Sequence, residues 1–167
     1  MDPLAIVEEH VRLENAHDLD GIMGTFGPDA RYDDEPWNEH HLGLEQVRSY
    51  YQTLLRVAPD LKTEVLKSHL SADAVILEVI VSGTQRGSWR GLPPTGRFVE
   101  FPLCGVFTFG VDGKIAGERI YYDRATVLRQ LGIFHEPTTP AGRILTPILH
   151  PITVVRALFH RSPPSRS

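Results

Sequence analysis

The sequence predicts an α+β domain in which a curved antiparallel sheet wraps around its helices, and three observations carry that expectation. Before Leu61 apolar residues recur mainly at helical spacing. From Leu61 onward the period changes, and Val65 to Leu70, Ala74 to Gly83, Phe98 to Phe109 and Lys114 to Tyr122 are rich in β-branched and aromatic residues. Asp112-Gly113 supplies a hairpin turn that pairs the last two of these runs. The order helix, helix, strand, helix, several strands and a final helix leaves one sheet to enclose a cavity.

The elements follow in turn. Asp2 and Pro3 read as an N-cap and first helical position, and Leu4, Val7, Val11 and Leu13 form a stripe ending at the turn Asn15 to His17. Asp18 caps a second helix through Leu19, Ile22, Met23 and Phe26, closed by Gly27 and Pro28. Ala30 to Asp34 is expected as a short strand, and Glu35 to Gly43 as a loop. Val47, Tyr50, Tyr51, Leu54 and Leu55 mark a third helix that Pro59 stops. Gly83 to Gly96, with its Pro93-Pro94 pair, is expected as a long connection between strands. Asp123 caps a last helix through Val127, Leu128 and Leu131, which Gly132 closes. Residues 1–135 are thus expected as the domain, and 136–167 as an extension with one short amphipathic helix, Ile152 to Phe159.

A chain of 167 residues suits one core. With 41% hydrophobic and 23% charged residues the composition is that of an ordinary globular protein, not a fibrous or disordered one. A net charge of -4 without a basic stripe argues against nucleic acid as a partner. Ile144 to Phe159 is broken by Pro147, His150, Pro151 and Arg156, short of the roughly 20 clean residues of a spanning helix. The lone Cys104 forms no internal disulfide and reads as small buried core. Met1 to His10 hold no signal-peptide pattern, so the cytoplasm is the expected address. With no nucleophile elbow, P-loop or Gly-x-Gly-x-x-Gly turn, neither acyl-enzyme chemistry nor a nucleotide cofactor has support. His40 and His41 diverge on an extended chain and lack a third suitably spaced ligand, so no metal is expected.

Gly91-Leu92-Pro93-Pro94-Thr95-Gly96-Arg97, then Val106-Phe107-Thr108-Phe109, Asp112-Gly113-Lys114-Ile115, and Asp123 with Leu128-Arg129-Gln130-Leu131-Gly132, together resemble the SnoaL-like polyketide cyclases of the nuclear transport factor 2-like superfamily. The resemblance implies the cone fold, no cofactor, a small apolar ligand and a homodimer. Those cyclases use an aspartate on the last strand to move a proton next to a carbonyl, with a histidine on the preceding strand. By register these positions are Ile120 and Val106, so neither group is retained. Tyr32-Asp33-Asp34-Glu35-Pro36 is similar to the Tyr-x-Asn-x-Pro segment of limonene epoxide hydrolases, in which Tyr and Asn position the attacking water. Tyr32 and Asp34 fall on those positions, while that family's acid aspartate again falls at Ile120 and its Arg and second Asp at Val79 and Val81.

Tyr32 and Asp34 are two apart, so on a strand they share a face, which the resemblance turns toward the cavity. A desolvated carboxylate there can act as acid or base beside a polarising phenol. The competing reading is a solvated Asp34 at a strand end and a core Tyr32. Glu118, Ile120 and Tyr122 share a parity, which makes Glu118 the replacement acid or base; alternatively Glu118 and Arg119 are a solvated pair beside the turn. Trp37, His41, Val106, Ile120 and Tyr122 complete the expected substrate-binding set, with His40 or His41 a proton carrier at the mouth. His69 reads as surface and Asp123 as a cap.

Two functions fit these residues. One is a cofactor-free isomerase, cyclase or epoxide-opening hydrolase acting on a polyketide-, terpene- or steroid-like molecule by general acid/base catalysis. The other is a non-catalytic ligand-binding or dimerisation module. A third role has residues 136–167 dock on a partner or membrane surface through Ile152, Val155 and Phe159.

Overall fold

The computed structural model describes residues 2–159, apart from the side chains of Ala157 and Leu158. The chain divides into two compact units, Met1–Leu131 and Gly132–Ser167.

In the first unit the chain runs α1 (Pro3–Asn15), α2 (Leu19–Thr25), β1 (Phe26–Asp34), a 3-10 turn (Glu35–Trp37), β2 (Glu39–Leu42), α3 (Leu44–Val57), β3 (Lys62–Leu70), β4 (Ala74–Thr84), β5 (Phe98–Phe109), β6 (Ile115–Tyr122) and α4 (Arg124–Gln130). The six strands form one sheet in the order β2-β1-β6-β5-β4-β3. Every neighbouring pair is antiparallel except β1 and β6, which are parallel. The parallel pair sets Tyr32 opposite Glu118 and Asp34 opposite Ile120.

Local chemistry explains the helix starts. Asp2 Oδ1 accepts from Leu4 N at 3.1 Å, and Asp18 Oδ1 from Gly21 N at 2.9 Å. Asp123 accepts from Ala125 N at 2.9 Å and Thr126 N at 3.2 Å, satisfying donors that the first turn of α4 leaves orphaned. Asp123→Ala is expected to lower stability by about 1 kcal/mol, measurable by urea denaturation. The apolar stripes of α1, α2 and α3, including Val7, Val11, Ile22 and Val47, pack against Leu77, Phe107 and Ile115 on the concave face.

Three expectations are corrected. Phe26, Gly27 and Pro28 do not end α2 but open β1, whose register against β6 shifts between Phe26 and Arg31. An irregular stretch of this kind tolerates a proline that cannot donate to a ladder. The segment from Glu35 to Gly43 is not all loop: Asn38 adopts a left-handed φ of 53°, and Glu39–Leu42 then pairs with β1. The polar sequence Glu-His-His-Leu has no apolar alternation, because this edge strand is held by its ladder. Among the described residues of the second unit two helices form instead of one, α5 (Pro140–Leu149) and α6 (Pro151–Phe159). Thr139 caps α5 through Gly142 N at 3.1 Å, and Pro147 lies within the helix instead of ending it. Among the described residues, no helix is long and apolar enough to cross a membrane.

Candidate functional site

Alternate residues of the concave face, together with α1, α3 and α4, line a cavity of about 140 Å³. That is close to the roughly 150 Å³ apolar cavity known to admit a benzene ring. Leu77, Val79 and Val81 of β4 and Leu103, Gly105 and Phe107 of β5 supply much of its apolar wall. Val106 is corrected here: it has the opposite parity on β5, between the lining residues Gly105 and Phe107, and its side chain is not part of the wall.

One polar group forms around Asp34, which closes β1 and is 1% exposed. Arg90 Nη2 lies 2.9 Å from Asp34 Oδ2, and the Tyr50 and Tyr122 hydroxyls each donate to that oxygen at 3.4 Å. Asp34 Oδ1 is buried without a hydrogen-bond partner among the described residues. Burial raises the Asp34 pKa, against the opposing charge of Arg90. The Trp37 indole donates to the Tyr122 oxygen at 2.8 Å, which leaves the tyrosine proton to point at Asp34 or a ligand. Arg90 stacks 4.3 Å from the Trp37 ring and also pairs with Glu39.

The connection carrying Arg90 is held from within. Gln85 is 3% exposed; its amide donates to Gly87 O and Pro93 O, and its oxygen accepts from Thr95 N at 3.0 Å. Trp89 and Leu92 exchange backbone hydrogen bonds around Arg90 and Gly91, whose φ values of 50° and 81° are those of a tight primed turn. Glycine suits one of these positions, while Arg90 adopts the other despite its Cβ.

A second polar group surrounds Glu118, which is 5% exposed. The Tyr51 hydroxyl lies 2.7 Å from Glu118 Oε2 and 2.9 Å from Glu14 Oε1. His10, fully buried on α1, places Nε2 3.0 Å from that hydroxyl and 3.4 Å from each carboxylate. Glu14 and Glu118 both line the cavity. Burial disfavours a charged His10, yet the two carboxylates outweigh it and push its pKa up to about 10. Burial likewise raises the Glu118 pKa, with His10 opposing.

The expected residues therefore separate. Tyr32, Asp34, Glu118, Ile120 and Tyr122 line the cavity. Glu118 is not a solvated partner of Arg119, which points to the other face and meets Glu35 at 3.2 Å. Trp37 stands behind Tyr122. His41 rests 4.7 Å from the Tyr50 ring beside a shallower depression, and burial lowers its pKa. His40 turns outward to Asp33 at 2.7 Å. Sequence reasoning missed His10, Glu14, Tyr50, Tyr51 and Arg90 as polar members of these groups. The signal for the first two was present: Val7, His10, Val11 and Glu14 follow i, i+3, i+4, i+7, so two polar residues continue the buried stripe. Tyr50 and Tyr51 read as apolar stripe because their hydroxyl partners lie 16 and 67 positions away, at Asp34 and Glu118.

A six-stranded curved sheet closed by helices over an apolar cavity with polar groups is a nuclear transport factor 2-like fold, and solved structures with that fold and the ketosteroid isomerase-like fold are similar to this one. The family description "SnoaL-like polyketide cyclase" matches residues 5–131. The chain belongs to the SnoaL-like polyketide cyclase family. Among solved structures it is similar to AclR from Streptomyces galilaeus, with 28% identity, a TM-score of 0.69, and 80% of this chain and 97% of that one covered. A SnoaL-like protein of Jannaschia sp. CCS1 shares 26% identity at a TM-score of 0.66, over 78% of this chain and 93% of the other. The epoxide hydrolase/cyclase-like enzyme SalBIII, with a role in pyran ring formation in the polyether salinomycin, has the same fold at 21% identity and a TM-score of 0.64, covering 74% and 92%.

Proposed function

We propose that this protein is a cofactor-free enzyme that isomerises, cyclises or opens a small, largely apolar oxygenated substrate by proton transfer through Asp34. The supporting observation is the register of β1 on β6. Asp34 lies directly opposite Ile120, the position at which related cyclases carry their aspartate, so a carboxylate is present one strand away, about 4.8 Å across the sheet. Its unpartnered Oδ1 faces no competing donor, and its raised pKa suits a base that takes a proton beside a carbonyl. The Tyr122 proton, steered by Trp37, and that of Tyr50 can then stabilise the resulting enolate oxygen. Protonation at another carbon completes an isomerisation, and attack on a second electrophilic carbon completes a cyclisation. The arrangement equally suits an epoxide, with Tyr122 or Tyr50 polarising the ring oxygen and Asp34 activating water.

The test begins with the protein from its native host: molecules that co-purify are identified by denaturing mass spectrometry and returned to fresh protein. Conversion of the bound compound supports the enzyme; a compound recovered unchanged by wild-type protein assigns the cavity to storage. Arg90→Met adds a pH criterion. Arg90 opposes the burial that raises the Asp34 pKa, so its removal raises that pKa further. A base works only when ionised, so activity falls as pH drops through its pKa. The acid limb of kcat/KM in Arg90→Met is therefore expected at higher pH than in wild type.

A further inference from the structure

The Glu118 group is left idle by the reaction through Asp34, and its proton inventory shows that it is built for more than packing. The Thr25 hydroxyl donates to Ile22 O at 2.6 Å, so its oxygen must accept from His10 Nδ1 at 2.8 Å, and that nitrogen carries a proton. The Tyr51 hydroxyl has one proton and three close partners: Glu118 at 2.7 Å, Glu14 at 2.9 Å and His10 Nε2 at 3.0 Å. One proton cannot serve all three; a second on Nε2 donates to the tyrosine oxygen and frees the hydroxyl proton for one of the two carboxylates. The Phe26 ring at 5.3 Å and the Phe107 ring at 5.8 Å also pack on the imidazole and offer no charge. His10 Nε2, Glu14 and Glu118 also present ligand atoms within 4.8 Å of one another, a grouping that suits a divalent cation. The Tyr51 hydroxyl already stands among all three at hydrogen-bond lengths, which argues for protons as the element that joins them.

Along β6, Glu118 lies one pleat from Ile120 and hence about 7 Å along the sheet from the level of Asp34. We propose that the Glu118 group is a second ligand-binding site in the same cavity, accepting a hydrogen bond from a hydroxyl or enol of the bound molecule, so that the cavity takes a single ring with oxygen functions at two positions. His10 is a positioning residue: its cation favours an ionised Glu118 beside an apolar wall. The inference rests on the cavity being the ligand site, as in the proposed function, but not on catalysis by Asp34.

Binding is therefore the readout, with benzene, phenol and resorcinol as probes in calorimetric titrations of wild type, Glu118→Gln, Tyr51→Phe and Asp34→Asn. Phenol is expected to bind wild type about tenfold more tightly than benzene, and resorcinol about tenfold more tightly again. Glu118→Gln and Tyr51→Phe should each remove one of these steps, and Asp34→Asn the other. Equal ratios in wild type and both Glu118-group variants would overturn the second site, as would failure of all three probes to bind. Histidine-selective ¹⁵N NMR reads the positioning role. His10 should carry protons on both nitrogens at pH 8, titrate near pH 10 in wild type, and titrate lower in Glu118→Gln. A His10 that titrates alike in both proteins would overturn that role. Full turnover in Asp34→Asn together with a Glu118-dependent binding step would overturn catalysis by Asp34 and leave the second site standing, which separates the two proposals.

Discussion

Asp34→Asn is expected to lower turnover of the substrate by about 10²–10⁴-fold, the usual contribution of a positioned acid or base. The substitution keeps the shape of the side chain and an oxygen for the Tyr50 and Tyr122 hydroxyls, so the cavity should survive. What disappears is the carboxylate that can hold a proton. Substrate affinity should change much less than kcat, because the apolar wall and Tyr122 remain. A variant that retains more than a tenth of wild-type kcat would remove Asp34 from the reaction and return attention to Glu118. The companion measurement is a melting curve, which should show a folded protein, since the loss assigned to chemistry must not be a loss of structure.

His10→Leu is expected to destabilise the fold by about 3–5 kcal/mol at pH 7, because it takes the imidazolium away from the buried Glu118 and leaves that carboxylate with the neutral Tyr51 hydroxyl. The pH dependence gives the sign. His10 has its folded pKa raised to about 10, above the roughly 6.5 of an unfolded histidine. Its contribution is therefore complete below pH 6.5 and lost as pH rises from there through 10. Wild-type stability from urea denaturation should decline across this window, and that component of the decline should be missing in His10→Leu. Adding Glu118→Gln to His10→Leu should recover a large part of the loss, since no carboxylate then remains at that position. Additive losses in the double variant would show that the pair is not coupled.

Much of the fold was legible in the sequence because its signals are local. The turn chemistry of Asp112-Gly113, the caps Asp2, Asp18 and Asp123, and the change of period at Leu61 each depend on neighbours within a few residues. The missed strand Glu39–Leu42 shows the converse, since its reason for being extended is a ladder with β1 and not its own composition. The extra helix Pro140–Leu149 was hidden by Pro147, whose breaking tendency the local context overrides.

The candidate site divides along the same line. Parity along single strands, read from the sequence with the family resemblance, brought together Tyr32 with Asp34 and Glu118 with Tyr122, because the side-chain period of a strand is two wherever the strand lies. The carry-over from the family resemblance failed at Val106, where one residue of offset reverses the face. The sequence by itself determined the class of fold and the helix starts at Asp2, Asp18 and Asp123, and the family resemblance added an apolar ligand cavity. Only the tertiary structure decided that β1 lies parallel to β6 with Asp34 opposite Ile120, that Arg90 reaches Asp34 from a distant turn, and that His10, Glu14 and Tyr51 converge on Glu118. The physical reason is that charge–charge and hydrogen-bond energies depend on separations of a few ångströms in space, and chain positions 56 or 67 residues apart carry no local trace of them.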